Sequence, residues 1–138
     1  MSYKIISKFV KDISFEIPNI QAFVMLEKEI KNYSLNFDIK AKPYKDKIVE
    51  INTTLKISPK ENIKDKILAE ITYTALVTID EGIKDKKELE KIILCDVQNK
   101  IYPSLEKIFL NLLSDSGFTG IKLEKKPDFE KLYNSRFN

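Results

Sequence analysis

Histidine and tryptophan are absent from this chain, cysteine occurs once and glycine three times in 138 residues. Without histidine there is no Ser-His or Cys-His nucleophile pair and no imidazole metal site. Cys95 cannot form a disulfide within the chain and falls short of every multi-cysteine zinc pattern, so it is expected as a buried helical packing residue. Glycines at 82, 117 and 120 allow neither G-x-G-x-x-G nor a P-loop to be drawn through them, which argues against nucleotide chemistry. No apolar run reaches the ~20 residues that span a bilayer, and the start, Met1-Ser2-Tyr3-Lys4, lacks the apolar core of a signal segment. The expectation is a cytoplasmic, non-enzymatic protein with no cofactor, no metal and no membrane insertion.

What is present is an ordinary globular composition, 43% hydrophobic and 33% charged, with a net charge of +3. A chain of this size buries about two thirds of its unfolded surface, so residues 1–138 are expected to make a single domain. Lysines and acids alternate throughout, which is the pattern of a solvated surface rather than a nucleic-acid footprint, and no nucleic-acid partner is expected. Carboxylates lie among lysines or on polar strand faces, where solubility explains them better than acid-base chemistry.

Four segments alternate with the period of a strand. The first, Tyr3 to Ile17, carries Tyr, Ile, Ser, Phe, Lys, Ile, Phe and Ile at odd positions, with Asp12, Ser14 and Glu16 on the other side, and stops at Pro18-Asn19. In the second, Leu35, Phe37, Ile39 and Ala41 alternate with polar residues before the turn chemistry of Pro43-Tyr44-Lys45-Asp46. The return strand places Val49, Ile51, Thr53, Leu55 and Ile57 on one side and ends at Ser58-Pro59. In the fourth, Ile67, Ala69, Ile71, Tyr73, Ala75, Val77 and Ile79 share a face. Short connectors and the lack of βαβ spacing predict an antiparallel meander. If the first and fourth strands share a sheet, Asp12, Glu16, Leu68 and Glu70 share its outer surface, an acidic patch with an apolar centre.

Between the first two strands, Asn19 to Ile30 reads either as a short helix capped by Asn19, with Ile20, Phe23, Val24 and Ile30 turned one way, or as an extended crossover that leaves Phe23, Val24 and Met25 adaptable. From Asp85 the period changes to that of a helix. Asp85 with Glu88 has the spacing of a capping pair, and Leu89, Ile93, Val97, Ile101, Leu105, Ile108 and Leu112 recur every three or four residues to about Ser114. Pro103 predicts a kink between Asn99 and Pro103, and Gly117 a stop. A second apolar stripe, Ile92, Tyr102, Phe109 and Leu113, exceeds what one sheet face needs, so a final helix begun at Pro127, another subunit, or both are expected to cover it. The fold class is α+β: a four-stranded antiparallel sheet with one long kinked helix and a short C-terminal helix on one face.

The run Lys11-Asp12-Ile13-Ser14-Phe15-Glu16-Ile17-Pro18-Asn19 resembles the opening strand of the bacterial export chaperone family SecB. The order of elements, the Tyr102-Pro103 step, the Ser116-Gly117-Phe118 helix exit and the Pro127-Asp128-Phe129 entry to the last helix extend the similarity nearly end to end. The resemblance implies an ATP-independent holdase that binds unfolded precursor proteins and delivers them to the export motor SecA. It assigns motor docking to Asp12, Glu16, Leu68 and Glu70, and client binding to a groove at Phe23, Val24, Met25, Leu35, Phe37, Phe129 and Tyr133. It also implies a homotetramer, a dimer of dimers with sheets paired edge to edge, that would bury Ile92, Tyr102, Phe109 and Leu113 between subunits.

Two departures stand beside it. The sequence pI is near 8.8 where the family is acidic, and Asn138 follows the last helix without the tail that contacts the motor's zinc-binding region. They leave a solitary SecB-like chaperone of an antitoxin as the first alternative, and a small-ligand-binding or scaffolding protein as the second.

Overall fold

The computed structural model describes residues 2–29, 33–60, 65–121 and 127–135. Strands β1 (Tyr3–Glu16), β2 (Tyr33–Lys45), β3 (Ile48–Pro59) and β4 (Leu68–Ile79) form one antiparallel sheet in the order β1-β4-β3-β2. A simple meander was expected. Strands β2, β3 and β4 follow it, but the connector holding helix α1 (Ile20–Glu29) carries the chain from β1 to the far edge, so β1 closes against β4 instead of β2. The two edges are therefore β1 and β2.

Strand β1 does not alternate strictly. Its pairing with β4 shifts between Ile5 and Ser7 and again between Val10 and Asp12, each shift inserting one residue and exchanging the faces. Residues 7–10 consequently run out of phase with the rest. Val10 lies opposite Tyr73 on the inner face, whereas Phe9 lies opposite Thr74 on the outer one, and after the second bulge Ile13 and Phe15 return inward opposite Ile71 and Ala69. The hydrophilic Ser7 and Lys11, anomalous in a strict odd-face reading, are explained by these two bulges.

The turn between β2 and β3 also differs from expectation. Strand β2 continues past Pro43 through a bulge to Lys45, and the turn is Asp46-Lys47, with Lys47 at a left-handed φ of 62°. Pro43 sits on an edge strand, where its missing N–H is tolerated.

Helix α1 is capped as Asn19 suggested: its Oδ1 accepts the Ala22 N–H at 2.9 Å, while its Nδ2 donates to Asp65 Oδ1 at 2.7 Å. The helix turns Ala22 and Leu26 into the core, leaves Ile20 and Val24 exposed and lays the half-buried Phe23 against the core, so the residues expected to turn one way divide; Ile30 lies outside the described residues.

Helix α2 (Lys86–Lys91) starts with Asp85 Oδ1 accepting the Lys87 N–H at 3.0 Å, one position earlier than a capping box would have it. It leads through a wider π turn (Ile92–Asp96) into helix α3 (Val97–Asp115). The Val97 N–H reaches the Ile92 carbonyl, and the Gln98 side chain, fully buried, donates from Nε2 to the Ile93 carbonyl at 3.1 Å. Gln98 Oε1 accepts from Thr53 Oγ1 at 2.9 Å, which ties this turn to the middle of β3. The helix runs unbroken through the exposed Pro103, so the irregularity expected at Asn99 to Pro103 lies instead at residues 92–96. An extra residue per turn rotates the helical phase, allowing Ile92, Ile93 and Cys95 all to be buried.

At the helix exit Gly117 adopts a φ of 103° and the Phe118 N–H returns to the Leu113 carbonyl at 2.9 Å. The core lies between the inner sheet face, with Ile51, Leu55, Ile71 and Ala75, and the helical residues Ile101, Leu105, Phe109 and Leu113. The short helix α4 (Phe129–Ser135) completes the same side of the sheet, with Asp128 as its cap and Pro127 just ahead of it rather than in its first turn.

The surplus stripe finds its cover inside the chain. Ile92, Tyr102, Phe109 and Leu113 are all at most 2% exposed, with Ile92, Phe109 and Leu113 in the main core and Tyr102 under α4. Their assignment to a subunit interface is corrected accordingly: folding of one chain already removes them from water.

Candidate functional site

The sheet offers two surfaces. On the inner side, alternation in β2 directs Leu35, Phe37 and Ile39 toward the helices, opposite Ile57, Leu55 and Thr53. Phe37 meets Tyr102 of α3 and Phe129 of α4 in a triangle of rings. Centroids are 5.8 Å apart for Phe37–Tyr102, 5.9 Å for Phe37–Phe129 and 5.8 Å for Tyr102–Phe129, and Phe129 presents edge contacts to both partners. From this triangle a cavity of about 470 Å3 opens outward, walled by Phe37, Ile39, Leu94, Phe129, Leu132 and Tyr133, with Asp38 and Ser135 as its polar members. Tyr133 Oη donates to the Lys87 carbonyl at 3.0 Å, which holds the outer end of α4 to the start of α2.

Three of the seven groove residues expected from the sequence, Phe37, Phe129 and Tyr133, thus line one cavity. Phe23, Val24, Met25 and Leu35 do not line it. Phe23 stacks on Phe118 with centroids 4.7 Å apart, Leu35 packs at the edge of the main core, Met25 is half-buried and Val24 is exposed. Sequence reasoning missed Ile39, Leu94 and Leu132, although Ile39 follows Phe37 on the same face of β2. Leu132 stands between the two named residues Phe129 and Tyr133, and its apolar character beside them was the available signal; the π turn at Leu94 left none.

Beneath α4 lies a small apolar cluster of Cys95, Tyr102 and Phe129. Burial pushes the Cys95 thiol pKa up, with Asp96 adding to it. The Tyr102 hydroxyl is buried and has no hydrogen-bond partner among the described residues. Its pKa is raised by burial first and then by Glu106, a carboxylate near enough to be felt but not placed to accept the hydrogen bond.

On the outer side, Asp12 faces Thr72, Ser14 faces Glu70 and Glu16 faces Leu68, so the four residues Asp12, Glu16, Leu68 and Glu70 occupy one end of one surface. They gather because β1 and β4 are direct neighbours. A shallow depression of about 430 Å3 on this face is lined by three acids, Asp12, Asp38 and Glu70, and three lysines, Lys11, Lys40 and Lys56, with a 2.9 Å hydroxyl contact between Thr54 and Thr72 across its floor. Lys56 lies opposite Glu70, so lysines and carboxylates are interleaved across the depression and the acidic character is confined to the Asp12, Glu16 and Glu70 side.

Farther along the same face Glu50 gathers neighbours: Asn52 Nδ2 donates to its carboxylate at 2.7 Å, Lys11 Nζ at 3.1 Å, and Lys42 Nζ stands at 3.8 Å. The Asn52 and Lys11 hydrogen bonds hold the Glu50 pKa below its ordinary value. Among the described residues no cluster of His, Cys, Asp or Glu could hold a metal, and no helix is long and apolar enough to cross a membrane.

A mainly apolar open cavity beside a buried aromatic triangle is suited to holding apolar side chains. The chain is 54% identical over 137 residues to a Pelagibacter ubique protein provisionally named protein-export protein SecB, covering 99% of this chain and 98% of that one. It is 26% identical over 130 residues to the protein-export protein SecB of Rhodospirillum rubrum, covering 94% and 78%. Among solved structures, it is similar in fold to a Mycobacterium tuberculosis SecB-like chaperone in complex with a ChAD peptide from the HigA1 antitoxin, with a TM-score of 0.68 at 11% identity over 91% of this chain and 88% of that one. Because the family model described as preprotein translocase subunit SecB matches residues 1–138, the chain belongs to the SecB family of protein-export chaperones.

Proposed function

We propose that this protein is an ATP-independent holdase of the cytoplasm that keeps unfolded precursor proteins soluble by taking their apolar side chains into the cavity walled by Phe37, Ile39, Leu94, Phe129, Leu132 and Tyr133. The observation that carries the reading is this cavity, an apolar opening of about 470 Å3 that folding leaves accessible in a family of export chaperones. Affinity comes from burial of client area at roughly 25 cal/mol per Å2, less the cost of ordering the client, so several weak contacts used together suffice. Mixing the protein with a urea-denatured precursor and with the same precursor folded tests it: native mass spectrometry should show complexes with the first and none with the second.

Hand-over to SecA is assigned to the part of the outer face that carries Asp12, Glu16, Leu68 and Glu70, where Glu16 stands opposite Leu68, Glu70 follows Leu68 on the same face and Asp12 lies farther along β1. The motor is expected to present basic residues to them.

Assembly into a dimer of dimers is assigned to the β1 edge. Ile6, Phe9, Val10 and Ile13 on that strand are 38–47% exposed, whereas the opposite edge, β2, is guarded by Lys40, Lys42, Lys45 and Pro43. Lysine and proline on an edge discourage strand addition; β1 carries Lys4, Lys8, Lys11 and two bulges of its own, and the exposed apolar area of Ile6, Phe9, Val10 and Ile13 is what favours it over β2. A second reading, a chaperone dedicated to one antitoxin, draws on the peptide partner named for the mycobacterial neighbour and would show one preferred client instead of many.

A further inference from the structure

We propose that α4 is a built-in stand-in for the client: Phe129 occupies the seat between Phe37 and Tyr102 in the resting chain, and an aromatic side chain of an unfolded polypeptide displaces it. The inference rests on the holdase reading and adds how the same site is regulated: the cavity partly walled by α4 is the resting form of the groove, and a client enlarges it by taking the place of Phe129.

Phe129 sits as a guest would. Its ring is 1% exposed, with edge contacts to Phe37 at 83° and to Tyr102 at 66°, yet it is the only buried residue of α4. The rest of the helix is exposed or half-buried. Seven residues are too few for a helix to persist on local hydrogen bonds, and Leu132, one turn on, is 51% exposed. Asp128 supplies the N-cap through the Lys131 N–H at 3.0 Å, and Tyr133 ties the far end to the Lys87 carbonyl.

The seat is also imperfect for its occupant. A phenyl ring offers the Tyr102 hydroxyl no acceptor, and a buried donor left unpaired destabilises the closed arrangement. A client segment brings backbone carbonyls and, where the residue is tyrosine, a phenolic oxygen, either of which can accept that hydrogen bond. Exchange of Phe129 for a client aromatic therefore replaces one ring by another and adds a polar contact. While α4 is closed, the apparent affinity for clients is reduced by the fraction of molecules that are open.

Cys95 provides the reporter, since it is the chain's only cysteine, is 4% exposed and packs against Phe129 in the same cluster. The full-length protein is treated with a thiol-reactive dye, with and without a saturating cysteine-free peptide of repeated Tyr-Ser-Leu-Lys units whose binding is followed by fluorescence anisotropy. Displacement predicts that bound peptide accelerates Cys95 labelling by about fivefold or more. Phe129→Ala, and separately Asp128→Ala, which loosens α4 without cutting a cavity, should tighten peptide binding by roughly threefold to tenfold.

Peptide that binds while leaving labelling unchanged or slower overturns the inference and spares the holdase reading. So does a weakening of binding by both α4 variants to the extent caused by Phe37→Ala. Absence of binding by wild type and by Asp128→Ala alike overturns the holdase reading and this inference with it.

Discussion

The rings of Phe37 and Tyr102 meet at 5.8 Å where strand β2 passes over helix α3, and this contact connects the edge of the sheet to the only buried hydroxyl group among the described residues that lacks a partner. Phe37 lines the groove while Tyr102 lies buried against Phe129, so a client ring in the place of Phe129 would meet a hydroxyl that can donate to an acceptor brought with it.

Tyr102→Phe removes the unpaired hydroxyl and keeps the ring. Urea unfolding should show the variant equal to wild type or more stable, by up to ~1 kcal/mol, because the desolvated donor is no longer buried. A clear loss of stability would mean that Glu106 accepts the hydrogen bond after all.

Gly117→Ala should destabilise by about 1–3 kcal/mol in the same measurement, for two separate reasons. The residue's φ is 103°, and an added Cβ would stand 3.1 Å from Phe23 Cε2, pressing on the ring that stacks against Phe118. Gly120, also left-handed but with open space around it, should cost less when changed to alanine.

Glu50 gives the fold an acid-sensitive element. Its carboxylate pKa is lowered in the folded state by Asn52 and Lys11, so the unfolded chain binds the proton more readily. Its stabilising contribution is complete above the ordinary value of 4.5 and is lost as pH falls through the lower folded-state value. Melting temperatures of wild type and Glu50→Gln, compared from pH 7 down to pH 3, should differ by a constant amount at the upper end and converge at the acidic end.

Asp12→Lys and Leu68→Ala act on the outer face and leave the groove alone. Each should weaken SecA binding, measured by titration calorimetry, roughly tenfold or more for the charge reversal, while peptide binding in the groove stays at the wild-type level.

Much of this architecture was legible because single-face burial imposes a period. Ile51, Leu55, Ile71, Ala75 and Val77 alternate in the sequence and all reach the core, and Asp12, Glu16, Leu68 and Glu70 were placed on one surface by parity alone. Parity failed where a bulge reset it: nothing in Ile6 or Lys11 by itself announces an inserted residue, so Phe9, grouped with the apolar odd positions, lies on the outer face instead. The stripe Ile92, Tyr102, Phe109 and Leu113 was visible, but the identity of its cover was not, since helical periodicity says which side is apolar and not what lies against it. The π turn at Ile92–Asp96 was hidden for a related reason, because its cause is tertiary: Gln98 bonds Thr53 on a distant strand.

The central claim is that the groove beside Phe37 holds unfolded chains. Light scattering of a precursor refolding from urea, recorded with increasing amounts of wild-type protein and of Phe37→Ala, tests it most directly. Wild type should suppress the scattering in proportion to its concentration and Phe37→Ala should do so much less; scattering unchanged by an excess of wild-type protein would contradict the account.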